Sequence, residues 1–85
     1  EVADKVIENI DFLFIDGDHS REGVIEDFNN YRNKVNKGGL IVFDNYSDPS
    51  WTEVQEAVDF LVDIHAITYK VHSKYGHCLV LEKLV

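Results

Sequence analysis

Two short runs hold the residue types that could do chemistry. Asp16-Gly17-Asp18-His19 follows the apolar stretch FLFI, and Asp44-Asn45 follows LIVF. A carboxylate where a buried strand leaves the core costs desolvation energy unless a cation, a ligand or a helix amide offsets it. Asp16, Asp44 and Asn45 together offer three hard oxygen ligands, a set suited to a divalent ion such as Mg2+ that leaves positions for water or for a vicinal diol. Such an ion lowers the pKa of a bound hydroxyl, and Asp18 or His19 is placed to take the proton.

The same residues also read as punctuation. Asp16 and Asp18 would cap the helix that begins near Ser20, and Asp44 and Asn45 would make the next turn. His19 alone is a solvated loop residue on that view. His65, His72 and His77 are scattered without a ligand spacing and give no zinc pattern. Trp51 fits packing at a helix entrance better than stacking on a ligand, and Tyr46 is open between packing and lining a substrate mouth.

For these groups to meet, two strands must run side by side and end together. Residues 1–9 suggest a helix end or a connecting turn. DFLFID is a strand-length apolar run that suits coverage on both faces, as in a parallel sheet. Ser20 is the expected cap of a helix with Glu22 in its first turn and a stripe of Val24, Phe28, Tyr31 and Val35, closed by the glycines of KGG. LIVFDNY is a second strand, and Ser50 with Glu53 has the form of a capping box before a stripe of Val54, Ala57, Val58, Leu61 and Val62. HAITYKVHS and HCLVLEKLV then form a hairpin about KYG. The order is β-α-β-α-β-β. The two helices would lie on opposite faces if the sheet reverses direction after the second strand, which would place a ligand at the switch.

Composition narrows the classes. The 85 residues are 45% hydrophobic and 28% charged, which excludes a disordered or fibrous chain, and no repeat or linker divides residues 1–85. A net charge of −8 opposes nucleic acid and anionic lipid as partners. No run reaches the roughly 18 residues of a membrane span. Cys78 is the one cysteine and reads as a small core residue in a reducing, cytoplasmic compartment. The absence of methionine leads to the expectation of a fragment or a processed product.

IDFLFIDGDHSREGVIEDF, NKGGLIVFDNY and WTEVQEAVDFL resemble the C-terminal half of a class I S-adenosylmethionine-dependent methyltransferase, closest to its small-molecule O-methyltransferase-like group. The resemblance implies an α/β fold, the C-terminal half of a Rossmann-like seven-stranded sheet with a final antiparallel hairpin. It also implies S-adenosylmethionine and Mg2+ as cofactors and a small-molecule methyl acceptor as partner. Metal-dependent members bind the ion through the residues matching Asp16, Asp44 and Asn45, and Asp16 is also expected at the cofactor. Their catalytic base matches the position of either His19 or Asp18, so the base stays open between the two. Lys37 leads directly into Gly38 where the family usually has a proline. The glycine-rich turn and the acidic residue that hold the cofactor in the family have no counterpart in these residues, so the chain alone is expected not to turn over.

Two other functions compete. FIDGD can be read as an Asp-x-Asp phosphotransferase motif, with Asp16 as nucleophile and Asp18 as acid or base, but this leaves KGGLIVFDNY unexplained. Alternatively, the chain is a non-catalytic half-domain that acts by association, including self-association through an exposed sheet edge.

Overall fold

The computed structural model describes residues 10–15 and 20–85. The segment expected as a helix end or turn over residues 1–9 lies outside them, as do Asp16, Asp18 and His19. In chain order the elements are β1 (Ile10–Ile15), α1 (Arg21–Tyr31), a 3-10 turn (Arg32–Lys34), β2 (Val35–Phe43), a second 3-10 turn (Pro49–Trp51), α2 (Thr52–Ile64), β3 (Tyr69–Tyr75) and β4 (Cys78–Lys83). They form one four-stranded sheet in the order β1-β2-β4-β3. β1 and β2 run parallel, and β4 is antiparallel to both β2 and β3. Among the described residues no helix is long and apolar enough to cross a membrane.

Strand alternation sorts the side chains into two faces. On one face Ile15, Ile41, Phe43, Leu79, Leu81 and Tyr69 join Val24 and Phe28 of α1 and Val54, Ala57, Val58 and Leu61 of α2 in a single buried core. Both helices therefore pack on the same face, which corrects the expectation of opposite faces. The strand order explains it: both crossovers, β1-α1-β2 and β2-α2-β3, progress in the same direction across the sheet, so right-handed connections put both helices on one side. The condition for a switch after the second strand is not met. On the other face Phe12 and Phe14 remain 58% and 49% exposed, so β1 is covered on one side only.

Ser20 caps α1 as its sequence predicts, its Oγ accepting from the Gly23 amide at 3.0 Å. The helix then stops earlier than the apolar stripe suggests. Tyr31 is its last residue, Val35 already belongs to β2, and Lys83 Nζ donates to the carbonyls of Arg32 and Val35 at 3.2 and 2.8 Å. KGG is consequently no helix cap. It lies in an irregular stretch of β2, where the pairing Ile10↔Val35 is followed by Phe12↔Leu40. Gly38 has φ +84°, and a Cβ on Gly39 would lie 2.7 Å from Val35 Cγ1 and 2.9 Å from the Asn36 carbonyl oxygen. Asn36 Nδ2 bridges this stretch to Asp11 at 2.7 Å.

The entrance to α2 also differs in detail. Asp48 accepts from the Ser50 amide and caps the 3-10 turn, while α2 begins only at Thr52. Glu53 therefore does not close a capping box with Ser50. Its Oε1 accepts from the Arg21 amide at 3.0 Å, across the gap between the helices at the first turn of α1, where a negative charge is favoured. Arg21 also lies over the Phe60 ring, 5.2 Å from its centroid. The chain over residues 65–68 turns, so the first hairpin strand starts at Tyr69, not at His65.

Candidate functional site

The parallel pair β1 and β2 ends with Ile15 opposite Phe43, and the Asp44 amide donates to the Ile15 carbonyl at 3.2 Å. The two strands therefore leave the sheet side by side, and Asp44 begins the loop there. Asn45 takes the left-handed backbone conformation, φ 64°, which asparagine tolerates better than most residues. That conformation turns its amide back so that it donates to Asp44 Oδ1 at 2.8 Å. The Asn45 side chain donates through Nδ2 to Asp48 Oδ2 at 3.5 Å. Asp48 has its pKa lowered, first by the Ser50 backbone amide and further by the charge of His77, and stays ionised to lower pH than an ordinary carboxylate.

Residues from the far end of the chain complete this edge. The β3–β4 turn, Gly76-His77, brings the His77 carbonyl to accept from the Tyr46 amide at 2.7 Å. Ser47 Oγ lies 3.2 Å from His77 Nδ1 and 3.4 Å from the Gly76 carbonyl. Cys78 Sγ donates to Asp44 Oδ1 at 3.4 Å. Ser47, His77 and Cys78 are thus neighbours of the Asp44-Asn45 pair that sequence reasoning missed. No local signal could have found them: the β2–β4 register, in which Phe43 pairs with Leu79, brings Cys78 level with Asp44. Tyr46 turns the other way. Its hydroxyl donates to Asp59 Oδ1 of α2 at 2.5 Å, and burial followed by that carboxylate pushes its pKa up to about 12.

Asp44 and Asn45 carry oxygen donors of the type a hard cation takes, two of the three expected ligands. Asp44 is half-buried with both recorded donors on Oδ1, so Oδ2 has no partner among the described residues. Asn45 supplies an amide oxygen next to it. Among the described residues no group of three His, Cys, Asp or Glu side chains could hold a metal. The remaining proposed ligand, Asp16, and the proposed bases Asp18 and His19 lie outside those residues. The structure therefore brings together Asp44 and Asn45 of the expected site.

Comparison with known proteins gives three likenesses. A family model described as a methyltransferase domain matches residues 1–46, a span that contains FIDGDHS and ends just after Asp44-Asn45. An uncharacterised protein of Acanthamoeba polyphaga mimivirus is 51% identical over 74 residues, covering 85% of this chain and 34% of its own length. The solved structure of the O-methyltransferase NovP, at 20% identity, matches with a TM-score of 0.75 over 92% of this chain and 31% of that one. The likeness to NovP is one of fold: the four-stranded sheet with its two helices resembles the C-terminal part of an O-methyltransferase. The chain spans about a third of the length of these relatives.

Proposed function

Because this chain belongs to the methyltransferase domain family whose model matches residues 1–46, we propose that it is part of a longer domain that transfers a methyl group from S-adenosylmethionine to an oxygen of a small molecule. The observation that carries this reading is the joint exit of β1 and β2, with Asp44 bonded through its amide to Ile15 and its Oδ2 without a partner among the described residues. Asp44 and Asn45, with Asp16, would hold a divalent ion such as Mg2+. The chemistry that ion supplies is a lowered pKa for an acceptor hydroxyl, and the methyl donor supplies an electrophilic carbon.

This chain's own residues have four tasks on that reading. Asp44 and Asn45 orient the acceptor's oxygens at the carboxyl edge of the sheet. Asp18 or His19 takes the hydroxyl proton as the oxygen attacks. Asp16 would serve both the metal and the cofactor. The loop over 44–48, latched to His77 and Gly76, keeps the edge in one shape so that the acceptor is held close to the attack geometry. A reducing, cytoplasmic setting is proposed from the single cysteine of the sequence, Cys78.

The test uses the full-length parent protein with a catechol-like acceptor and labelled methyl donor. Asp44→Ala is expected to lower methyl transfer by roughly 100-fold, and chelation of divalent ions is expected to bring the unmodified enzyme to the same level. Transfer that is indifferent to both changes overturns the metal role. A second reading, association in place of catalysis, is favoured by one observation, the exposure of Phe12 and Phe14 on the uncovered sheet face. Dimers of this chain in light scattering, together with a parent that binds no methyl donor by calorimetry, would select it. The phosphotransferase reading draws on Asp16 and Asp18 alone, and none of the described geometry supports it.

A further inference from the structure

A carboxylate that serves a ligand through one oxygen must have its other oxygen and its side-chain torsion fixed, or it spends its time in unproductive rotamers. Asp44 has three ties. Its amide is bound to β1 through Ile15, and its Oδ1 accepts from the Asn45 amide at 2.8 Å within its own loop. The third tie comes from a different element: Cys78, the first residue of β4, donates its thiol to the same Oδ1 at 3.4 Å. Asp44 and Cys78 each lie one residue beyond the last β2–β4 pair, Phe43↔Leu79, so the contact follows from sheet register.

We infer that Cys78 is a positioning residue for Asp44: its thiol, together with the Asn45 amide, holds Oδ1 on the sheet side and so turns Oδ2 outward to a ligand. This inference deepens the reading of Asp44 as a metal-holding carboxylate and rests on it for its functional consequence.

The residue type suits the place. Cys78 is half-buried and lines a hollow on the open sheet face with Leu40, Val42, Tyr75 and Val80. A position bounded by aliphatic groups on one side and a carboxylate on the other wants a side chain that is small, tolerates apolar neighbours and still carries a donor. A thiol meets all three conditions, since it packs like a small hydrophobe and has a weak S–H donor. A serine would keep the donor and lose some packing. A valine would keep the packing and lose the donor, leaving Oδ1 with the Asn45 amide alone. A purely packing role and a positioning role therefore rank these two replacements in opposite order.

The experiment compares the full-length parent with its Cys78→Ser and Cys78→Val variants by two readouts. The first is the NMR shift and solvent exchange of the Asn45 amide, which report on Oδ1 without any metal. The second is Mn2+ affinity by calorimetry. Positioning predicts that Cys78→Ser keeps the Asn45 amide signal and binds Mn2+ within about twofold of the unmodified protein. It predicts that Cys78→Val shifts that amide, speeds its exchange and weakens Mn2+ binding about tenfold, the low end for a group that orients a metal ligand. If Cys78→Val matches the unmodified protein at Asn45, or if Cys78→Ser is the worse of the two, the inference is overturned and Cys78 only packs. If no variant binds Mn2+ while Cys78→Val alone moves the Asn45 amide, the positioning role stands and the metal reading of Asp44 falls.

Discussion

The two ends of the sheet use polar side chains in opposite ways. At the end where β1 and β2 terminate, Asp44, Asn45, Ser47, Asp48 and His77 cluster at a half-exposed rim, and their hydrogen bonds fix a loop instead of closing a core. At the other end, Arg32 turns inward. Its Nη1 lies 2.9 Å from His65 Nε2 and 3.2 Å from Nδ1, donating to whichever nitrogen holds the lone pair, and its guanidinium covers the rings of Phe28 and Tyr69 at 5.4 and 5.6 Å. The Tyr69 ring is buried, and its hydroxyl has no partner within hydrogen-bond geometry among the described residues. Burial raises its pKa, although the Arg32 guanidinium nearby offsets part of that rise. One end thus leaves Asp44 Oδ2 without a partner among the described residues, whereas the other seals the bottom of the core with a cation.

The contrast breaks if damage to the sealed end and damage to the open end look alike. Phe28 is fully buried and touches Phe43, His65 and Tyr69 with ring centroids 6.0, 5.6 and 5.3 Å away. Phe28→Ala is expected to cost about 3–5 kcal/mol of stability by denaturant unfolding, since it removes the ring on which both helices and the Arg32 cover converge. Asp44→Ala should do the reverse, lowering the proposed metal-dependent transfer by roughly 100-fold while moving the unfolding midpoint little. Equal destabilisation by both would mean that Asp44 is a turn residue and not a ligand.

Legibility in the sequence followed the range of the interactions. Ser20 as a cap, Val24 and Phe28 on one stripe, and Val54, Ala57, Val58 and Leu61 on the next are set within a few residues, and all appear where spacing predicts them. Val35 misled because it continues the helical period of Val24 and Phe28 while its backbone already pairs with Ile10. The glycines of KGG misled because a left-handed glycine serves a strand irregularity as well as a helix end. Glu53 caps a helix 32 residues away from itself in sequence, which no local pattern encodes. The helix placement depended on β3 joining the sheet on the side of β2 away from β1, a choice made by long-range pairing. At the candidate site, Asp44 and Asn45 could be singled out because they directly follow an apolar strand, although their types equally suit an ordinary turn. Cys78 and His77 were not, because only sheet register brings them there.

His65 sharpens the comparison through pH. Burial lowers its pKa, and the neighbouring Arg32 charge lowers it further. A folded-state pKa below the unfolded value near 6.5 means that the unfolded chain takes up the proton first. The stabilisation is therefore complete above about pH 6.5 and is lost as pH falls through the lower folded-state value. Unfolding curves between pH 7.5 and 5 should show this loss, and His65→Gln should flatten that part of the profile. A profile unchanged by the substitution would place the acid sensitivity at the Asp44 end, among its carboxylates.

Tyr46 gives the smallest effect and tests where the rim ends. Its hydroxyl donates to Asp59, so it ties the Asp44 loop to α2. Its pKa is pushed up to about 12, which means that the neutral phenol is the form the fold prefers. That preference contributes fully below pH 10, the ordinary tyrosine value, and is lost as pH rises from there through about 12. Tyr46→Phe should therefore cost about 0.5–1.5 kcal/mol at neutral pH, the usual net worth of one hydrogen bond, and the gap to the unmodified protein should close in alkaline solution. The same variant should leave the acceptor's KM unchanged in the parent enzyme. A raised KM with unaltered stability would move Tyr46 from the scaffold to the substrate mouth and extend the rim past Asn45.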